Sequence, residues 1–361
     1  MIVSRQDQRQ GGTSLLPLDC DHLVIGAGST GLAVVDHLLR REAGSVVLVD
    51  ALETPSVGPF GYRVPLLDPG TREWATVSAR SRELYEGWAD WLEVDPQLNR
   101  CGVLLPGDEN SMVLEGIESL LPEDSSRRWS ALSPDGPSCF YDHSGSTVDP
   151  VAVAGALMWR IRKAGGRFHS SAPIRSLVET EDGVQFVAGS REGIARKVFL
   201  CAGASTLSIL DQHSVRHPFR AETTSVFTLD LSIDVPQVIY WKEERAVLVD
   251  NGTGALDLHL TRPLEDSRSL PSVDWEGCKD FCQRHGEWIE GLSTAVTLKA
   301  RAMNRIGPVE SPPSEVSSAG GRIVTPGACG EHSSLVFPAL SEAVVEKHLA
   351  GEVGGLLEDL S

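Results

Sequence analysis

Residues 21–50 read DHLVIGAGSTGLAVVDHLLRREAGSVVLVD, and this stretch decides the fold. Leu23, Val24 and Ile25 form a short apolar run of the kind that a strand covered on both faces needs. Three glycines, Gly26, Gly28 and Gly31, lead into a segment whose apolar residues Leu32, Val35, Leu38 and Leu39 recur at helical spacing. A second apolar run, Val46–Val49, ends at Asp50. In the spacing G-x-G-x-x-G each glycine has a physical reason. Gly26 turns the chain out of the strand, Gly28 admits a pyrophosphate close to the backbone, and Gly31 lets the helix pack on the sheet. Ser29 and Thr30 open the helix, whose free N–H groups and positive dipole end suit a phosphate. Asp50 follows Gly31 by 19 residues, the interval at which an acid meets a ribose hydroxyl. Strand, helix and acid agree, so the stretch reads as a dinucleotide-binding βαβ unit rather than a bare glycine turn.

The 361 residues are enough for two domains, or for one large domain with a second built from insertions. A net charge of −18, from 50 acidic and 32 basic residues, repels phosphate backbones and anionic membranes, which argues against nucleic acid or a membrane surface as partner. No apolar run approaches the roughly 20 residues that span a bilayer. Seven scattered cysteines do not form a disulfide framework, and a reducing cytoplasm is the simpler reading. Cys278, Cys282 and His285 lack a second ligand pair at finger-like spacing, so core packing and no metal are expected there. Residues 1–20 read as a polar, mobile lead-in.

Beyond Asp50 the chain is broken by Pro55, Gly58, Pro59, Gly61, Pro65, Pro69 and Gly70, a composition suited to a loop at the ligand-facing edge of a sheet. A helical stripe follows over residues 77–92, with Arg80 and Ser81 near its start, where a cation and a hydroxyl could reach a phosphate; capping and a solvated arginine are the structural alternative. Residues 103–105 read as a strand and 112–121 as a helix. Asp149 and Pro150 form an N-cap and N1 pair for a helix ending at Gly165 and Gly166. Strands at 174–178 and 184–187 flank the turn Glu181-Asp182-Gly183, and an apolar strand then runs into Cys201-Ala202-Gly203, whose small residues permit close approach of a ligand. Strands are expected at 219–231, 238–241, 246–249 and 255–261, and a helix at about 274–289.

Taken in order, GAGSTG with its terminal acid, TVDPVAVAGALMWRIRKAGG, the run into CAGAST and HPFRAETTSVFTLDL resemble the FAD-dependent D-amino-acid oxidase superfamily, which includes glycine and sarcosine oxidases. The resemblance implies an α/β, two-domain (α+β) architecture: a Rossmann-like FAD-binding domain from residues 21–95, 145–215 and 296–361, and an inserted substrate domain with a mixed or antiparallel sheet from 96–144 and 216–295. It implies non-covalent FAD, because Cys329 does not match the family's attachment position. Around the cofactor it places Gly26, Gly28, Ser29, Thr30, Gly31, Asp50, Arg80, Ser81, Ile174, Ala202, Gly203, Gly330 and His332.

The segment TLKARAMNRIGP resembles the family strand that ends in an arginine near the flavin, where a substrate carboxylate is held. Arg305 is the first choice for that role and Arg301 the second, since a planar guanidinium binds a carboxylate bidentately. Tyr240 and His259 are candidate positioning groups from the inserted sheet. In the family a Gly-His-Gly type turn then passes over the flavin, and the present chain departs from it with Glu331, His332, Ser333 and Ser334. The implied activity is oxidation of the C–N bond of an amino acid or secondary amine to an imine, with oxygen as acceptor. A 2-hydroxy-acid dehydrogenase, a monooxygenase and a flavin-binding protein of altered catalysis are the alternatives. Substrate identity and oligomeric state are not legible.

Overall fold

The computed structural model describes residues 17–54, 64–67, 72–92, 95, 97–107, 117–266, 269–308 and 315–350. Residues 1–16 of the expected lead-in, most of the turn-rich segment after Asp50, and residues 112–116 lie outside them.

The first sheet grows from the opening βαβ unit. Cys20–Ile25 lies between Val46–Val49 and the carboxyl half of Arg191–Leu200, parallel to both, and Arg167–His169 continues the parallel set beyond Val46–Val49. Ile323–Thr325 adds a parallel strand from the far end of the chain, while Ile174–Glu179 and Val184–Ala188 form an antiparallel meander on Arg191–Leu200. Alternate side chains of these strands enter two different cores. Val24, Leu48 and Phe199 pack under the helices Ser29–Arg40, Arg72–Leu92, Pro150–Lys163 and Ser333–Ala350. Leu23, Ile25, Val47, Val49, Val198 and Leu200 face the meander and the helix Ser205–Gln212. Burial on both faces explains why these strands read as continuous apolar runs.

The second sheet runs in the order Val296–Pro308, Phe219–Asp230, Leu256–Pro263, Ala246–Asp250, Val238–Trp241, Val103–Pro106, Cys139–Asp142, Ile117–Leu120, antiparallel except where Val238–Trp241 meets Val103–Pro106. Val296–Pro308, grouped in the sequence with the third cofactor segment, hydrogen-bonds along this second sheet. The helix expected over 112–121 is corrected in its described part: Ile117–Leu120 is an edge strand on Cys139–Asp142. Glu118 and Ser119 are exposed between Ile117 and the buried Leu120, so strand pairing overrides a local pattern too short to specify a helix.

One face of the second sheet is covered. Phe227, Ile239, Trp241, Leu248 and Leu258 pack on the helix Trp275–His285 through Cys278, Phe281 and Cys282. On the opposite face Val103, Leu105, Val238, Tyr240, Val247 and Val249 form a smaller apolar cluster, and much of the rest of that face is polar. Val226 and Met303, also on that face, join the core of the first sheet, so this face looks toward the glycine-rich unit.

Candidate active site

The glycine turn is built for close contacts. A Cβ at Gly26, where φ is +101°, would lie 2.3 Å from the Cys201 carbonyl oxygen, and one at Gly31 would lie 1.9 Å from the Gly26 carbonyl oxygen. Neither position admits a side chain, so the backbone of Cys201 and Ala202, at the end of the neighbouring strand and just before Gly203, sits directly against the turn. Gly28 is the N-cap of Ser29–Arg40; no side chain caps this helix, and its first turn carries no acid. The N–H groups of Ser29, Thr30 and Gly31 at that terminus suit a pyrophosphate. The Asp50 carboxylate accepts from the N–H of Ala27 at 2.5 Å and of Leu52 at 2.7 Å, which fixes it at the mouth of the turn with lone pairs left for hydroxyls. The backbone of Ala172 donates to the Asp50 carbonyl at 2.7 Å, and this contact brings the half-buried Ile174, two residues on, to the same edge. A dinucleotide fits these groups.

Arg80 and Ser81 are engaged by the closing helix Ser333–Ala350. Arg80 forms a forked pair with Glu342, 2.7 Å from Nε and 3.0 Å from Nη2, and its Nη1 meets Glu83 at 2.9 Å. The closing helix carries Pro338, which lacks an N–H and so leaves the Ser334 carbonyl without its helical donor. Tyr85 donates its hydroxyl to that carbonyl, and the N–H of Ala339 donates to Ser81 Oγ at 3.2 Å. Ser81 and Tyr85, one turn apart on Arg72–Leu92, thus repair a break in another helix.

The polar face of the second sheet brings the substrate-side residues together by register. Tyr240 pairs with Val247, Val247 with His259, His259 with Val226 and Val226 with Arg301, so Tyr240, His259 and Arg301 share one face in one row. Arg305 pairs with Glu222 on the same face, four residues from Arg301. Arg305 is half-buried and its Nη1 donates to the Gly330 carbonyl at 3.2 Å. Burial pushes its guanidinium pKa down to about 10, against the pull of Glu331 and Glu222. His259 is buried beside the two arginines, and burial together with Arg305 and Arg301 drives its pKa down to about 3, so the ring is neutral.

Gly330–His332 is a single tight turn before the closing helix, and His332 packs against Trp74 and Tyr240 with a ring nitrogen 3.2 Å from the Leu67 carbonyl. Three residues that sequence reasoning missed or did not assign complete the arrangement. Glu222, fully buried, grips Arg245 through two bonds of 2.9 and 2.8 Å, and a Cβ at Gly307 would strike its carboxylate. Arg245 reaches over from the hairpin turn before Ala246–Asp250, its φ of +51° marking a backbone held by its surroundings, and its Nε meets Glu331 at 3.3 Å. Burial opposes its charge, yet Glu222 and Glu331 together raise its pKa. Tyr240 donates its hydroxyl to Glu331 Oε1 at 3.1 Å. The available signal was an acidic residue, Glu222, in the otherwise apolar and hydroxylic run AETTSVFTL, two residues after Arg220, whose Nε reaches it at 3.1 Å. A charge there is tolerated only when paired.

Residues 21–268 match the model of the DAO family, described as FAD dependent oxidoreductase. No curated protein matches the chain in sequence. Among solved structures, NikD, an amino acid oxidase essential for nikkomycin biosynthesis, in its open form, is similar over 95% of this chain and 97% of its own at 16% identity and a TM-score of 0.80. Glycine oxidase from Geobacillus kaustophilus is similar over 93% and 96% at 14% identity, TM-score 0.78. L-proline dehydrogenase from P. horikoshii is similar over 94% and 95% at 15% identity, TM-score 0.76.

Proposed function

Because the chain belongs to the DAO family of FAD-dependent oxidoreductases, we propose that it oxidises the C–N bond of an amino acid or secondary amine to an imine, with oxygen as the electron acceptor. The observation that carries this reading is Arg305: a half-buried guanidinium on the uncovered face of the second sheet, anchored on the turn that closes the site, with a charge that burial disfavours. A substrate carboxylate would relieve that cost through two parallel N–H···O bonds. Similar folds include an amino acid oxidase, a glycine oxidase and a proline dehydrogenase, all named for amino acids.

Bound FAD supplies the two-electron acceptor; the chain binds, orients and excludes water. Gly26, Ser29, Thr30, Gly31, Asp50, Ala202 and Gly203 would hold its diphosphate and ribose. Ile174 would border its edge, and the turn with Gly330 and His332 would lie over the far end. Arg305 takes the carboxylate, with Arg301 as a second cation, while neutral His259 and Tyr240 wall the substrate without adding charge. Burial pushes up the pKa of the Cys329 thiol and so disfavours the thiolate that covalent attachment would need, which favours non-covalent FAD. No helix among the described residues is long and apolar enough to cross a membrane. The seven cysteines are thiols rather than disulfides, in keeping with a cytoplasmic location.

Purified protein should be yellow, lose its colour to acid precipitation, and release hydrogen peroxide with one class in a panel of amino acids and secondary amines. Turnover with 2-hydroxy acids alone, or only with NADPH, would replace this reading.

A further inference from the structure

Four arginines meet three carboxylates around the site. Arg245 and Arg305 are faced by Glu222 and Glu331 beneath the turn Gly330–His332, Arg220 Nε also reaches Glu222 at 3.1 Å, and farther along the face Arg301 is drawn toward Asp257. A site of that composition accepts a carboxylate, and its own carboxylates suit a ligand that carries a positive charge beside its negative one. Glu331 supplies the place for it. Its Oε1 accepts from Tyr240 and Arg245, whereas Oε2 is buried and has no hydrogen-bond partner among the described residues. An acceptor left in that condition costs free energy that a donor recovers. The side chain is a tenth exposed, and the terminal torsion of a glutamate is soft, so a small turn presents Oε2 to an entering group. Arg305 holds the carbonyl of the preceding residue, Gly330, so guanidinium and carboxylate meet the same small volume. Among the described residues Tyr240, Arg245, Arg305 and His332 are the ionisable groups that face Glu331, with Glu222 on the other side of Arg245.

We propose that Glu331 receives the amino group of the substrate while Arg305 receives its carboxylate, so that the site selects a zwitterionic α-amino or α-imino acid over the matching 2-hydroxy or simple carboxylic acid. This deepens the amine-oxidase reading and rests on it.

Three probes of nearly the same shape and without an α-hydrogen test it: 2-aminoisobutyrate, 2-hydroxyisobutyrate and pivalate. None can be oxidised, so titration of the FAD-loaded protein at neutral pH, followed by flavin absorbance and calorimetry, reads binding alone. The amino compound should bind at least about tenfold more tightly than the other two, the gain of a charge-assisted hydrogen bond. Glu331→Gln keeps an acceptor for Tyr240 and Arg245 and removes the charge. It should abolish the preference and strengthen pivalate. Equal weakening of all three probes, or an intact preference, would overturn the assignment. The wild-type titration decides even if the variant does not fold, since no preference for the amino compound there refutes the proposal. Pivalate binding that Arg305→Ala removes would keep the carboxylate reading standing although the part of Glu331 had failed.

Discussion

The two sheets differ in how their faces are used. The first is apolar on both sides, with helices over one and the meander and a short helix over the other. The second is apolar on one side only; across much of the other it carries Glu222, Thr224, His259, Arg301 and Arg305, and its pairing there is ionic. On the proposed reading the first sheet is a platform that offers backbone N–H groups at strand ends, and the second is a wall that offers side chains. Change of function within such a fold should therefore fall on the second face, where substituting a side chain leaves the platform intact.

The comparison is broken most severely at the platform. Gly26→Val would place side-chain atoms within 2.3 Å of the Cys201 carbonyl, at a φ that β-branched residues avoid; complete loss of the flavin absorbance and of soluble protein is expected, checked by spectrum and yield. Next comes the buried ion group: Glu222→Gln leaves Arg245 with Glu331 alone and takes the counter-charge from Arg220, and should cost about 2 kcal/mol, read by denaturant melts. Arg305→Ala should raise KM for the substrate by about 10- to 100-fold with the flavin spectrum retained, measured by steady-state kinetics; an unchanged KM removes Arg305 from carboxylate binding.

Smaller effects sharpen the contrast. His259 and His37 are both held at a pKa of about 3, burial being the main cause, against 6.5 in the unfolded chain. Below about pH 6.5 the unfolded chain takes up protons that the folded chain refuses until about pH 3, so stability should decline as pH falls through that window. His259→Asn should flatten part of this acid limb in melts taken from about pH 7 to about pH 4. Arg80→Ala, which breaks a pair that is more than a third exposed on the arginine side, should change stability by no more than about 1 kcal/mol and leave FAD content unchanged. A loss of FAD would instead return Arg80 to the phosphate.

What was legible in the sequence follows the same division. The βαβ unit could be read because its strand, turn, helix and acid are local, each within a few residues of the next, and the helix after Asp149 likewise shows its cap, with Asp149 Oδ1 accepting from Val151 at 2.8 Å. Arg305 and Arg301 stand out through the resemblance of TLKARAMNRIGP, and their shared face needs only the alternation of a strand. Glu222, Arg245 and Glu331 could not be joined in that way. Arg245 lies 23 residues from one carboxylate and 86 from the other, and only strand register and a hairpin turn bring the three into contact. The roles of Arg80 and Ser81 depended on a closing helix 262 and 258 positions away, so their local helix signal was compatible with either fate.

The proline in that closing helix has a consequence for synthesis. The opening helix Ser29–Arg40 is covered by the closing one, where Ser341 Oγ donates to the Thr30 carbonyl at 3.3 Å and His37 hydrogen-bonds Pro338. A nascent chain therefore leaves the ribosome with part of the apolar flank of its first unit uncovered until the closing helix, 311 positions later at this contact, has been made. Contacts closed so late are slow to form and expose the intermediate to aggregation. Recombinant yield should thus depend on chaperone capacity and growth temperature more than the stability of the finished molecule would suggest.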